Sequence, residues 1–300
     1  MKTNRLGRSE LSVSEIGLGC MSIGTDEKHA LRILHEAMDL GITLLDTADL
    51  YDAGRNEELV GKAVKGRRGD VVLASKVGNR RVPGQDGWVW DASKAYILSA
   101  VKDSLRRLGT DYLDLYQLHG GTLDDPIDET IEAFEQLRRE GVIRYYGISS
   151  IRPNVIREYV SRSNIVSVMS QYSILDRRPE EEVLPLLEAN GISVIARGPV
   201  ASGMLTDSGE SKLSKGYLGY GEEELRAFRS GIRSAVKRPL AETALHYPLA
   251  APAVACVLAG ASTSEQIHAN VEAARRPPLG AEELAAVRSA VPANVYAQHR

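Results

Sequence analysis

Three observations predict an α/β fold, a (β/α)8 TIM barrel, for this chain of 300 residues. Short apolar runs alternate eight times with amphipathic segments, nothing linker-like interrupts them, and many of the apolar runs close on a polar residue. Parallel strands need helical crossovers, so the alternation implies a parallel sheet, and eight units suit closure better than an open sheet. A doubly wound sheet with a dinucleotide site would carry a glycine fingerprint after an early strand. Here Gly17-Leu18-Gly19-Cys20-Met21-Ser22 lacks the third glycine, and Gly24 sits too late. The expectation is one domain over 1–300, with an N-terminal β-hairpin and a C-terminal extra helix.

In chain order, Lys2–Leu6 and Leu11–Val13 read as the hairpin across Gly7-Arg8-Ser9, and Ile16–Cys20 as the first barrel strand. Asp26 caps a helical pattern that stops at Gly41. Ile42–Asp46 is a second strand, followed by a helix from Asn56 to Val64 and a third strand, Val71–Lys76. A loop from Gly78 to Asp91 with Gly, Pro and Trp precedes a helix over Ser93–Leu108 and a strand over Leu113–His119. Ile127–Glu140 is helical, further strands end near Ser149, Gln171 and Arg197, and helices start near Pro153 and Glu180. Ser202–Tyr220 reads as a long mobile flap. Helices from Glu222 and Pro239, a strand over Val254–Leu258, and helices near Ser264–Ala274 and from Ala281 complete the chain.

A formal charge of −3 with no basic block offers no electrostatic case for nucleic acid or an anionic membrane. Met1–Arg5 has no apolar core behind it, and no apolar run approaches the length of a span, so a cytoplasmic location is expected. Cys20 and Cys256, both in apolar runs, are expected as reduced core thiols.

In such a barrel chemistry sits at the carboxyl ends of the strands, which here carry Asp46, Lys76, His119, Ser149, Gln171 and Arg197. A buried Asp46 needs a positive partner, and Lys76, ending the adjacent strand, can supply it. Tyr51, in the turn after Asp46, can fold back over the pair. A cation about 4 Å from a phenolate is worth ~4 kcal/mol at an effective dielectric near 20. That is roughly three pKa units, enough to bring a phenol toward neutrality and let it pass a proton to an alkoxide. His119, alone among six histidines at a strand end, could orient a carbonyl oxygen; none of the six has a partner at a metal-ligand spacing such as HExxH.

Asp-Thr-Ala-x-x-Tyr after the second strand, Lys76 and His119 together resemble the catalytic tetrad of the aldo-keto reductases. The likeness extends to Gly17–Met21, Gln117-Leu118-His119 with Pro126 and Glu129-Thr130, Gly141–Ser149, and the closing Gly260 and Asn270. It implies an NADPH-dependent barrel enzyme (NADH possible) that reduces a small aldehyde or ketone by direct hydride transfer. Tyr51 would be the general acid, Lys76 and Asp46 would lower its pKa, and His119 would orient the carbonyl. Ser149 and Gln171 would hold the nicotinamide carboxamide; Arg197, Gly198, Gly260, Ser262, Thr263, Gln266 and Asn270 complete the expected cofactor contacts.

Three positions depart from the family's pattern. Ser150 stands where Asn often follows the serine of Gly-x-Ser, and Arg197 stands where an aromatic ring commonly stacks on the nicotinamide. A guanidinium plane can also stack, and its charge should favour the reduced, uncharged ring. From Gly260 through Asn270 there is no Lys or Arg to meet an adenosine phosphate; Ser262, Thr263, Gln266 and the helix N-terminus near Ser264 remain, with Lys212 and Lys215 on the flap. Met21, Trp88 and Trp90, with Ile23, are candidate apolar walls for substrate. Two competing readings are a nucleotide-holding redox sensor with slow turnover and a lyase using Lys76 as a Schiff-base amine. Asp46 beside the lysine disfavours the second by keeping the amine protonated.

Overall fold

The computed structural model describes residues 1–82 and 84–300; Pro83, the proline of the Gly78–Asp91 loop, lies outside them. A hairpin of β1 (Thr3–Arg5) and β2 (Ser12–Ser14) comes first. The chain then runs through β3 (Ile16–Gly19), β4 (Leu44–Asp46) and β5 (Val72–Val77) into a short antiparallel ribbon, β6 (Asn79–Arg80) with β7 (Val89–Trp90). It continues through β8 (Leu113–Leu118), β9 (Ile143–Ser149), β10 (Ser167–Gln171), β11 (Ser193–Arg197) and β12 (Val254–Gly260). Strands β3, β4, β5 and β8 to β12 close a parallel barrel, with β12 returning to β3. The α/β barrel expected from the alternation is thus the fold.

Leu6, Leu11 and Val13 of the hairpin pack with inward residues of the strands, among them Leu44, Leu115, Met169 and Ile195. That apolar plug closes one end of the barrel interior and leaves the other open. A larger apolar layer separates the strands from the helices α1 (Glu27–Asp39), α2 (Arg55–Val64), α3 (Lys94–Leu108), α4 (Ile127–Arg139), α5 (Pro153–Arg162), α6 (Val183–Ala189), α7 (Glu222–Ala235), α8 (Leu240–Leu249), α9 (Ser264–Arg275) and α10 (Ala281–Ala290).

Local chemistry sets the boundaries that matter for the site. The Asp26 and Ser93 side chains accept from the His29 and Tyr96 N–H groups and start α1 and α3, while Gly109, in the left-handed region at φ 62°, ends α3. Three segments differ from expectation. The helix expected from Glu180 starts at Val183, because Arg178–Glu180 forms a separate 3-10 turn around Pro179. The Gly78–Asp91 loop carries the β6–β7 ribbon. The expected flap contains a 3-10 stretch, Asp207–Lys215, anchored by buried Leu213 and Gly209. Two-residue strands and three-residue turns have too few residues to leave a periodic signal, and a 3-10 stretch lacks the 3.6-residue period that marks an α-helix.

α2 and α3 touch where Gly61 faces the end of α3: a Cβ there would lie 2.4 Å from the Leu108 carbonyl oxygen. Gly61→Ala should therefore cost ~1–3 kcal/mol by overpacking, despite alanine's better helix propensity. Urea unfolding should show a lowered midpoint at unchanged slope.

Candidate active site

Strand register brings the polar ends together at the open mouth. Asp46 on β4 pairs with Ala74 on β5, Lys76 on β5 with Gln117 on β8, and Gln171 on β10 with Arg197 on β11. Lys76 is 1% exposed and Asp46 3%, so neither charge is solvated and each must be met by protein. Lys76 Nζ donates to Asp46 Oδ2 at 2.6 Å, to the Thr47 carbonyl at 2.9 Å and to Tyr51 Oη at 3.2 Å. These three bonds use all three ammonium hydrogens, which fixes the charge in position. Gln117 Nε2 donates to Asp46 Oδ1 at 3.3 Å. Thr47 Oγ1 donates to Asn56 Oδ1, and Asn56 Nδ2 to the Cys20 carbonyl, tying the ends of β3 and β4 to α2.

Burial opposes the Lys76 charge, but Asp46 and Tyr51 hold its ammonium above the ordinary lysine value. Burial pushes the Asp46 carboxyl up, against the pull of Lys76 and of the Gln117 amide. Tyr51 corrects an expectation. Burial raises its phenol, and although Lys76 pulls the other way, the net shift is upward rather than toward neutrality. Counting the nearby cation alone leaves out the loss of water around a phenolate.

His119 follows β8 directly, its N–H donating to the Val77 carbonyl at 2.7 Å. Its ring meets the Tyr51 ring edge-on at 5.9 Å. Nδ1 is buried without a partner. Burial, then Lys76, then Arg197 push its pKa down to about 3, so the imidazole is neutral at ordinary pH.

Beside the tetrad, Arg197 Nη1 donates to Gln171 Oε1 and Gln171 Nε2 donates to Tyr217 Oη, both at 3.0 Å. Tyr217 lies on the stretch expected as a flap and is not among the residues the sequence singles out; a tyrosine in an irregular segment carries no positional signal. Gln117, two residues before His119 and so on the same side of β8, was legible by alternation. Ser149 ends β9, and Gly198, at φ 67°, turns the chain after β11.

Trp90 is half-buried: its Nε1 donates to Asp125 Oδ1 at 2.8 Å, and its ring fills the space a Cβ would take at Gly78 (2.5 Å) and Gly120 (3.1 Å). Met21 and Trp88 are exposed on the segments following β3 and β6. Cys20 and Cys256 are buried free thiols.

A second group lies where α9 begins. Thr263 caps the helix, and the Ser262 N–H donates to Gln266 Oε1 at 2.7 Å. The Gly260–Asn270 stretch has no cation of its own, but α1 brings His29 Nε2 to 2.8 Å from the Ser262 carbonyl, with Arg32 Nη2 3.1 Å from His29 Nδ1. No reading confined to one segment could see that approach. A Cβ on Gly260 would lie 2.9 Å from Ser22 Oγ, which keeps this edge of the mouth close-packed. Asn270 is partly buried on α9. Among the described residues no group of three or more His, Cys, Asp or Glu is placed to hold a metal ion, and no helix is long and apolar enough to cross a membrane.

A buried lysine–carboxylate pair touching a tyrosine at the mouth of a parallel eight-stranded barrel marks a class of barrel oxidoreductases. The chain belongs to the aldo/keto reductase family, whose model matches residues 15–292. It is 58% identical, over the whole of both chains, to the "Uncharacterized oxidoreductase YqkF" of Bacillus subtilis (strain 168). Among solved structures it resembles aldo-keto reductase AKR11C1 from Bacillus halodurans. The holo form gives 61% identity and a TM-score of 0.95 over 100% of this chain and 99% of that one. The apo form gives 57% identity and a TM-score of 0.88 over the same shares.

The histidine environment makes a stability prediction. Between about pH 6.5, the ordinary value, and about 3, folded His119 binds fewer protons than the unfolded chain. Its contribution is therefore full above that range and is lost as pH falls through it. Urea midpoints measured from pH 7 to pH 4 should fall, and the part of that slope due to His119 should vanish in His119→Asn.

Proposed function

We propose that this chain is an NADPH-dependent reductase of small aldehydes or ketones, with NADH as a weaker alternative cofactor. The observation that carries the reading is the placement of Tyr51 Oη 3.2 Å from a lysine ammonium that is itself held at 2.6 Å by Asp46.

The donor set at the mouth fits a nicotinamide. Ser149 and the Gln171 amide offer complementary donors and acceptors for a carboxamide, and Arg197, in register with Gln171, offers a planar cation. Gly198, Gly260, Ser262, Thr263, Gln266 and Asn270 would carry the rest of the dinucleotide. Arg32, linked through His29 to the Ser262 carbonyl, places positive charge near Ser262, which favours a phosphate-bearing adenosine. When bound, the reduced nicotinamide supplies a hydride to the carbonyl carbon.

Everything else falls to the chain. Because burial keeps the Tyr51 phenol protonated, the acid is loaded before reaction. Lys76 donates to Tyr51 Oη, which leaves the phenol's own hydrogen free for the substrate oxygen. As the carbonyl oxygen gains negative charge, the proton passes from Tyr51 Oη to it. The phenolate left behind sits against the Lys76 ammonium, an attraction of about 5 kcal/mol at an effective dielectric near 20. This stabilisation appears as charge develops, so it lowers the barrier rather than tightening ground-state binding. Neutral His119 can donate to the same oxygen without adding a charge. Trp90, with Met21 and Trp88 further out, supplies apolar surface for the substrate body.

Tyr51→Phe should lower kcat for a generic aldehyde roughly 10²–10⁴-fold. NADPH affinity, read by fluorescence titration, should stay close to wild type. Retained turnover would place the proton donor elsewhere, and failure to bind either nicotinamide would remove the cofactor assignment. In Arg197→Tyr the preference for reduced over oxidised cofactor should shrink; an unchanged ratio of the two affinities would remove the role given to Arg197.

A further inference from the structure

Asp49, partly buried two residues before Tyr51, is a carboxyl that the proposed chemistry leaves without a task. Among the described residues its Oδ1 is buried and has no hydrogen-bond partner, while Oδ2 is met by Tyr96 Oη at a long 3.4 Å. Its N–H points at the Lys76 carbonyl, also at 3.4 Å. Asp49 thus connects the end of β5 to the turn that carries Tyr51, two residues on. That turn needs support. Asp52 (φ 48°) and Ala53 (φ 57°) both lie in the left-handed region without being glycine, at a cost on the order of 1–2 kcal/mol each.

The charges around Asp49 decide which form of its carboxyl suits the site. From α2 comes Glu57, fully buried, whose carboxylate is taken up by Arg107 of α3 at 2.6 Å and by Ser75 Oγ at 2.5 Å. From α3 also comes Tyr96, flanked by Arg80 of β6, which is itself paired with Asp91. From β8 comes Tyr116, whose hydroxyl is buried without a partner. From β5 comes Lys76, whose ammonium is committed to Asp46, Thr47 and Tyr51. Each neighbouring cation already has an anion, so an ionised Asp49 would be a second carboxylate beside Glu57 with no counter-charge. Burial first, then Glu57, push its pKa up to about 7.

We propose that Asp49 is a positioning residue: the Tyr51 turn stays packed against α3 and the end of β5 while the Asp49 carboxyl is neutral, and its ionisation, which places an uncompensated charge beside Glu57, loosens that turn and withdraws the proton donor from Lys76. The inference rests on Tyr51 as that donor, but it can be read without turnover. Tyr51 and Lys76 both shift upward and His119 lies near 3, so none of these three gives an inflection close to neutrality.

The test follows pH 5 to 9 in two ways. One is the single-turnover rate of bound NADPH oxidation by an aldehyde. The other is hydrogen exchange of the Ala48–Arg55 turn in protein without cofactor, corrected for the intrinsic pH dependence. In the wild type the rate should fall by roughly tenfold per pH unit above the inflection, while turn opening should rise with pH up to the inflection and level off above it, together the signature of one required proton. Asp49→Asn, neutral throughout, should lose the inflection in both readouts. Tyr96→Phe removes a hydroxyl that favours the charged form and should move the inflection to higher pH. Exchange that is flat through neutrality in the wild type, or an inflection unchanged in Asp49→Asn, overturns the proposal. Either outcome is independent of Tyr51→Phe, which tests the reaction itself.

Discussion

The Asp46–Lys76 ion pair is the constraint from which the mouth of this barrel is built. Two opposite charges with almost no exposure are tolerable only when every hydrogen-bonding position is filled. The Lys76 ammonium meets that demand with Asp46, the Thr47 carbonyl and Tyr51, and Asp46 adds the Gln117 amide. Removing either member would strand the other charge in the barrel, so the pair ties stability and chemistry to the same contact. The hairpin plug has a matching role: by filling one end with Leu6, Leu11 and Val13 it leaves the other as the place where polar groups converge.

Burial acts on each group of the site in a different direction, and the resulting protonation states complement one another. It keeps the phenol protonated, the imidazole neutral and, behind them, the Asp49 carboxyl close to its point of ionisation. The lysine is held charged, because two acidic partners outweigh its desolvation. A fixed ammonium beside a neutral phenol and a neutral imidazole suits a reaction that develops one negative oxygen. The phenol's raised value does not conflict with the role of acid proposed for it, since the ammonium would act chiefly on the phenolate formed during transfer.

Much of this is legible in the sequence. Apolar runs ending on Asp46, Lys76, His119, Gln171 and Arg197 mark the strands and their polar ends, and the caps at Asp26 and Ser93 mark where helices begin. Gln117 could have been found by strand alternation. Tyr217 could not, because nothing in an irregular stretch tells which side chain turns inward toward Gln171. The approach of His29 and Arg32 to Ser262 was equally hidden, since it joins the first helix of the barrel to the ninth.

The sequence by itself determined the alternation, and through it the barrel, the polar mouth and the residue types gathered there. Those follow from local periodicity and from the rule that a buried charge needs a partner, both of which are written in one dimension. Tertiary structure alone decided how far each group is stripped of water and which neighbours compete for it. That is why Tyr51 moved up rather than down, why His119 is neutral, and why Asp49 stands without a counter-charge. Desolvation depends on everything packed around an atom, and that surrounding shell is drawn from segments far apart along the chain.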